Sequence, residues 1–231
     1  SALALLSSTP RLRVRPDVIT CSATISACEK SAAWQHALAL LTSMLLWQVR
    51  PNAVSCGAAI SACGQCAQWE LALELFGSMP RLCARPDVVS CNAAIGACER
   101  GAQWQFALVL FASMPELRIS PSTVSCNSAI SACKAGTQWQ LAVSLLCNSM
   151  PRLRLRPDIL GCNAAVGACS KATRWQVALA LLHSMPSLRV WPDLVTCFSA
   201  ASACEGGGQC RHLLGLLAAC PSMSAVLAEK K

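Results

Sequence analysis

The sequence contains no tyrosine, very little histidine and few charged residues. Only 3 of its 231 residues are His, and Asp, Glu, Lys and Arg together make up 13%, about half of the share that is typical of a soluble domain. The scarcity of histidine argues against a His-rich catalytic or metal centre. The 19 basic residues exceed the 11 acidic ones, and the formal charge of +8 weakly favours an anionic partner.

Motifs of catalysis and of membrane insertion are also missing. The sequence has no Walker loop, no G-x-S-x-G elbow, no H-E-x-x-H motif and no zinc-deaminase signature. We therefore predict a protein that is not an enzyme and that uses no cofactor, metal or small-molecule substrate. No membrane span is predicted, because uncharged stretches such as 51–69 are broken by Pro, Gly, Asn, Gln and Ser. The first residues are Ser-Ala-Leu rather than Met, and we expect a piece of a longer protein.

Most of the 17 cysteines recur as Cys-x6-Cys pairs, such as Cys91 with Cys98. On a helix the two members of such a pair lie about 10 Å apart, which is too far for a disulfide. We predict buried thiols in a reducing compartment. Cys63 and Cys66 form the one closely spaced pair, and no second Cys or His pair with zinc spacing follows it, so no metal site is predicted.

A repeat of 35 residues organises the chain. Proline and tryptophan recur at this spacing, with one extra residue near Cys147-Asn148. The tryptophans are Trp34, Trp69, Trp104, Trp139 and Trp175. The predicted boundaries are 1–17 for the second half of a truncated repeat, then 18–52, 53–87, 88–122, 123–158 and 159–193 for repeats one to five, and 194–231 for a degenerate terminal repeat.

Each repeat predicts two helices. In repeat three, Asp87 is a good N-cap for a first helix over about 88–99, which ends at Arg100-Gly101. A second helix over about 103–114 ends before a proline. One helix pair cannot bury both of its apolar faces, whereas stacked pairs can. This predicts an all-α fold, a right-handed α-solenoid of tandem helix-turn-helix repeats with a long groove.

Several features resemble the pentatricopeptide repeat family over essentially the whole chain. They are the period of 35, the Pro-Asp pair that closes a repeat, the Val-Val-Ser-Cys-Asn opening and the Trp…Ala-Leu…Met second helix. The tetratricopeptide repeat has a period of 34 and a Trp-Leu-Gly-Tyr pattern that is absent here. The chain departs from the family in one respect, because Cys replaces the consensus Tyr of every first helix. These cysteines are Cys21, Cys56, Cys91, Cys126, Cys162 and Cys197.

The resemblance implies binding of single-stranded RNA at about one base per repeat. It implies that the fifth and the last residue of each repeat read the base edge. The five pairs are Ser22 with Asn52, Gly57 with Asp87, Asn92 with Ser122, Asn127 with Asp158, and Asn163 with Asp193. The second residue of each repeat would pack against the base plane, and these residues are Ile19, Val54, Val89, Val124 and Leu160. Phosphate contacts are expected at the end of the first helix, from Lys30, Arg100 and Lys171.

The residues at the fifth position of the repeats favour a ligand-binding role, whereas the residues at the last position have a second explanation. Asn is a poor residue for a helix interior, by about 0.5 kcal/mol relative to Ala, yet it recurs at Asn92, Asn127 and Asn163. The last residues all stand where they could cap the next helix, and capping alone could account for their identity.

The family's pairing rules imply a core of A-(G/U)-C-U-U, with its 5′ end at the chain's N-terminus. About five bases are too few for a unique transcript, so we expect further repeats or a recruited protein partner. The resemblance also implies a mitochondrial or chloroplast location and a role in RNA processing, in RNA stability or in recruiting an editing factor. The alternative is a protein-interaction scaffold whose groove binds a peptide or a helix. The low charge supports this alternative, whereas the repeated Asn supports RNA.

The sixth repeat departs from the reading pattern. Phe198 occupies its fifth position and fits no reader pair, and Cys210 stands where the tryptophan is expected. Together with Gly206-Gly207-Gly208, these changes predict an eroded terminal cap.

Overall fold

The computed structural model describes residues 16–208, and these residues form helices and turns with no strand. The chain divides after Pro121 into two compact units. The all-α class that the repeat predicts is confirmed. Most of the truncated repeat 1–17 and the end of the terminal repeat, with Cys210 and His212, lie outside the described residues.

The first unit contains three helical hairpins. Its first helices are α1 (Val18–Lys30), α3 (Ala53–Gln65) and α5 (Val88–Arg100), and its second helices are α2 (Trp34–Leu46), α4 (Trp69–Ser78) and α6 (Trp104–Ser113). Within this unit α1 packs on α3 and α3 packs on α5, and each first helix packs on the second helix of its own hairpin. The observed bounds of α5 and α6 agree with the helices that the sequence predicts for repeat three.

The second unit continues the same plan. Its first helices are α7 (Thr123–Ala135), α10 (Ile159–Lys171) and α12 (Leu194–Gly206). The second helix of repeat four consists of α8 (Trp139–Ser144) and, after an interruption, a short α9 (Met150–Arg152). The second helix of repeat five is α11 (Trp175–Ser184). The extra residue of repeat four is absorbed in a π-helical turn, Leu145–Ser149, between α8 and α9. Such a turn holds one additional residue without breaking the helix, and Met150 remains fully buried after it.

A capping side chain starts every first helix. The N-cap residue precedes the helix in an extended conformation, and its side-chain oxygen accepts a hydrogen bond from the backbone N–H of the third helical residue, as is typical of helix N-termini. These caps are Asp17, Asn52, Asp87, Ser122, Asp158 and Asp193. At α3, α5, α7 and α12 the third residue is Ser or Thr, and its hydroxyl accepts a hydrogen bond from the backbone N–H of the N-cap residue, which completes a capping box. Gly161 occupies this position in α10 and cannot do so.

The turn inside each hairpin uses a left-handed residue that is not glycine. Ala32, Ala67, Ala102, Thr137 and Thr173 have φ angles between 53° and 58°. Gly101, which was expected to break α5, is instead its C-cap with a φ of −81°. Its lack of a side chain serves packing, because a Cβ there would lie 2.5 Å from Trp69 Cδ1. The predicted break is therefore at the right place, and the neighbouring tryptophan explains the glycine.

Small apolar side chains and cysteines fill the core. The repeated methionines at or near the ends of the second helices are also buried, and they are Met44, Met79, Met114, Met150 and Met185. The paired cysteines of the first helices are buried too, and no disulfide forms among the cysteines of residues 16–208. Burial raises the pKa of thiols such as Cys98 to about 11, so these side chains stay neutral and pack as small apolar groups. No helix in this part of the chain could cross a bilayer.

Candidate RNA interface

The second residue of every first helix is apolar and exposed. Ile19, Val54, Val89, Val124 and Leu160 expose between 59% and 75% of their surface. Residues 2 and 5 of a helix lie on the same face, because they are three positions apart. Each exposed aliphatic side chain therefore lies beside the fifth residue of its own helix, where a flat apolar ligand could rest on it.

In repeat five the fifth residue contacts the last residue of the repeat. Asn163 Nδ2 donates to both carboxylate oxygens of Asp193, at 3.3 and 3.1 Å. A carboxylate can only accept hydrogen bonds, which fixes the amide with its nitrogen towards Asp193. Thr196 Oγ1 donates to the amide oxygen on the other side.

Repeat four has the same pair with shorter bonds. Asn127 Nδ2 lies 2.9 Å from both carboxylate oxygens of Asp158, and Asn127 is buried. Two oxygens of one carboxylate subtend a narrow angle at the nitrogen, so one N–H is shared between them. The second N–H points away from the carboxylate and is the group that a ligand could accept from.

The remaining pairs differ from these two. In repeat one, Ser22 Oγ lies 3.4 Å from Asn52 Oδ1 and donates more closely to Val18 O, at 2.7 Å. In repeat two, Gly57 offers no side chain to Asp87. The pair of Asn92 and Ser122 joins residues of different units, and its reading role stays a prediction.

The last-residue carboxylates serve two purposes at once. Asp193 Oδ1 caps α12 by accepting from Thr196 N at 2.8 Å, and the same carboxylate accepts from Asn163. Burial by itself would raise the pKa of Asp193, but the hydrogen bonds from Thr196 and Asn163 outweigh it and hold this pKa below its ordinary value. Capping explains why an acceptor lies here, but it does not explain why the amide of the fifth residue of the same repeat is bonded to it.

The basic residues expected to contact phosphate lie in the last turns of first helices. Lys30, Arg100 and Lys171 are exposed there. Arg100 Nε also donates to Gly64 O in the preceding repeat, at 2.7 Å. This bond satisfies a carbonyl near the C-terminus of α3 and orients the guanidinium group. Residues 16–208 contain no cluster of His, Cys, Asp and Glu that could hold a metal ion.

Two residues of this surface were not predicted from the sequence. Val195, at the second position of α12, is 56% exposed like its counterparts, and alignment of the sixth repeat would have found it. Thr196 bonds Asn163 from 33 positions away in the chain. Its place in the sequence indicates a capping residue, and only the fold shows the second contact.

Family profiles match the middle of the chain. The profile described as pentatricopeptide repeat domain matches residues 74–135, and the profile described as PPR repeat matches residues 54–83. Together the two profiles cover residues 54–135, which is consistent with the pentatricopeptide repeat family. No curated protein matches it in sequence.

Solved structures of pentatricopeptide repeat proteins share the fold. PPR10 in complex with an 18-nt psaJ RNA element is 21% identical over 98% of this chain, with a TM-score of 0.76, and the match covers 34% of PPR10. A second structure, of PPR10 from maize, is 24% identical over 86% of this chain and 28% of its own, with a TM-score of 0.64. The PPR domain of Arabidopsis thaliana protein-only RNase P 1, in complex with tRNA, is 12% identical over 74% of this chain and 93% of its own, with a TM-score of 0.59. The chain thus spans about a third of the length of PPR10, and the matches confirm the solenoid fold.

Proposed function

We propose that this chain binds single-stranded RNA through its first helices, at about one base per repeat, and acts by binding rather than by catalysis. The observation that carries the proposal is the arrangement at Asn127 and Asn163. Each amide is bonded to the last-residue carboxylate of its repeat, and each repeat sets an exposed aliphatic side chain beside it. An apolar wall and an oriented hydrogen-bond donor are the two elements that base recognition requires.

The chemistry of the amide favours uracil. The carboxylate holds one N–H of Asn163, and the second N–H is a donor that matches a carbonyl oxygen. Uracil presents such an oxygen at C4, whereas cytosine presents an amino group there, which is itself a donor. Both Asn–Asp pairs therefore prefer uracil to cytosine on physical grounds, in agreement with the pairing rules of the family.

The finer parts of the proposal come from the resemblance. The core is A-(G/U)-C-U-U in the order of the repeats, and Lys30, Arg100 and Lys171 contact phosphates. The protein works in a mitochondrion or a chloroplast, where it protects or remodels a transcript or recruits an editing factor. The known RNA ligands of PPR10 and of the RNase P domain support RNA as the partner.

Fluorescence anisotropy of labelled RNA tests this proposal. We expect the protein to prefer an RNA that contains A-G-C-U-U over a scrambled RNA, at two salt concentrations. The double variant Asn127→Ala with Asn163→Ala should lose the preference. The matched control is Gln105→Ala with Gln140→Ala, which removes exposed amides from second helices and should keep it.

Two results would contradict the proposal. Equal binding of both RNAs with a steep salt dependence would mean that the basic residues bind phosphate without reading bases. Binding of neither RNA would favour the alternative, a groove for a peptide or a helix.

A further inference from the structure

The two Asn–Asp pairs are identical in sequence but not in their surroundings. The difference lies in the third residue of the following first helix, which is Gly161 for repeat four and Thr196 for repeat five. Both positions belong to the second unit, and both face the amide of the preceding repeat.

In repeat five the amide is held at both ends. Asn163 Nδ2 is bonded to Asp193, and Asn163 Oδ1 accepts from the hydroxyl of Thr196. Thr196 is fully buried. Asp193 contacts its hydroxyl twice: the backbone N–H donates to it at 3.2 Å, and Oδ1, at 2.8 Å, is a second acceptor for the hydroxyl proton. With its oxygen and nitrogen both bonded, the amide plane has one orientation.

In repeat four the amide is held at one end only. Asn127 Oδ1 is buried and has no hydrogen-bond partner among residues 16–208. It lies 2.5 Å from the point where a Cβ of residue 161 would be, so the oxygen stands beside the glycine where repeat five has a hydroxyl. A buried amide oxygen without a donor is unfavourable, and the terminal torsion of Asn is soft.

We propose that this third residue is a positioning residue for base reading. Its hydroxyl holds the amide of the preceding repeat, so that the remaining N–H points in one direction towards the base. The inference rests on the proposed function. It makes repeat five a stricter reader of uracil than repeat four, although both carry Asn with Asp.

The expected difference can be put as a ratio of affinities. The hydroxyl contributes one hydrogen bond to the orientation of the donor, and one such bond corresponds to about a fivefold change in an equilibrium constant. Replacing U by C opposite repeat five should therefore weaken binding about fivefold more than the same replacement opposite repeat four.

Variants of Thr196 test the role of the hydroxyl. Thr196→Val keeps the shape and removes the hydroxyl, and it should lower the U-to-C preference opposite repeat five by about fivefold. Thr196→Ser should retain the preference. The control is Ser90→Ala, which breaks the capping box of α5 in the same way but faces Gly57, which has no amide. It should leave the preference unchanged opposite both repeats.

The converse variant is Gly161→Ser, which supplies the missing hydroxyl. Its Cβ obliges Asn127 to shift towards the arrangement seen at Asn163, and the preference for U opposite repeat four should rise. A measurement without RNA accompanies it. Hydrogen exchange of the Asn163 side-chain amide should be faster in Thr196→Val than in the wild-type protein, and exchange at Asn127 should be the same in both.

The outcomes separate the two proposals. RNA binding with equal preference opposite both repeats, unchanged in Thr196→Val, would overturn this inference and leave the proposed function intact. Unchanged amide exchange at Asn163 in Thr196→Val would also overturn it. Loss of all base preference in the wild-type protein would overturn both.

Discussion

Truncation of an exposed valine separates RNA binding from stability. Val89 lies at the second position of α5 and is 68% exposed, and Val109 on α6 is 66% exposed. The two side chains are of the same type, are equally accessible and belong to the same unit. Only Val89 lies on the proposed base-packing face, so Val109→Ala is a matched control for Val89→Ala.

The magnitude follows from the area that remains to be buried. Val→Ala removes two methyl groups, and full burial of each would contribute about 0.8 kcal/mol. Because about two-thirds of Val89 is still exposed in the free protein, a base could bury apolar surface worth about 1 kcal/mol. That free energy corresponds to about a fivefold increase in Kd. The free energy of unfolding should change by less than about 0.5 kcal/mol in either variant.

Binding titrations and thermal unfolding of the three proteins give the test. We expect Val89→Ala to weaken binding of the A-G-C-U-U RNA about fivefold, and Val109→Ala to bind as the wild type does. Equal weakening by both variants would refute the assignment of the face, as would an unchanged Kd for Val89→Ala.

Three further predictions concern charge, thiols and glycine packing. Asp193→Asn keeps a capping side chain but removes the carboxylate whose pKa is lowered by folding. The stability from that carboxylate is present above its ordinary pKa and is lost as the pH falls through the lowered value. Tm should therefore fall less steeply in the variant as the pH is lowered from about 5, and an identical dependence of Tm on pH in the two proteins would contradict this. Alkylation at pH 8 followed by mass spectrometry should modify the exposed Cys83 well before buried thiols, whose neutral form does not react. Equal rates in the folded protein would argue against the packing described. Gly77→Ala should raise the free energy of unfolding by about 1 kcal/mol, because nothing lies within 4 Å of the added Cβ. Gly101→Ala should lower the free energy of unfolding by about 1–3 kcal/mol through overpacking. Chemical denaturation measures both changes, and stabilisation by Gly101→Ala would be inconsistent with the tryptophan contact.

Much of the fold follows from spacing alone. A period of 35 with a capping residue before each first helix fixes where helices begin, and the apolar spacing fixes which faces are buried. The role of Gly101 could not be read in this way, because a glycine after a helix is typical of a left-handed C-cap. The structure uses the glycine to admit Trp69 of the preceding repeat. That reason depends on a contact between distant residues.

The repeat positions that form the candidate site could be predicted from the sequence, but the contacts among their side chains could not. The resemblance gave the fifth and last residues, and the structure brings Asn127 to Asp158 and Asn163 to Asp193. It could not give the role of Thr196 or of Gly161. In sequence each of these residues occupies the third position of a first helix, where Thr196 indicates a capping box. Their approach to an amide of the preceding repeat exists only in the stacked helices.

Recoding one repeat tests the central claim most directly. The double variant Asn163→Ser with Asp193→Asn gives repeat five the reader pair of repeat one, Ser22 with Asn52. If these pairs read bases, the preferred base opposite repeat five changes from U to A, and the base preferred opposite repeat four remains U. An unchanged preference for U opposite repeat five, or a uniform loss of affinity for every RNA, would contradict the account.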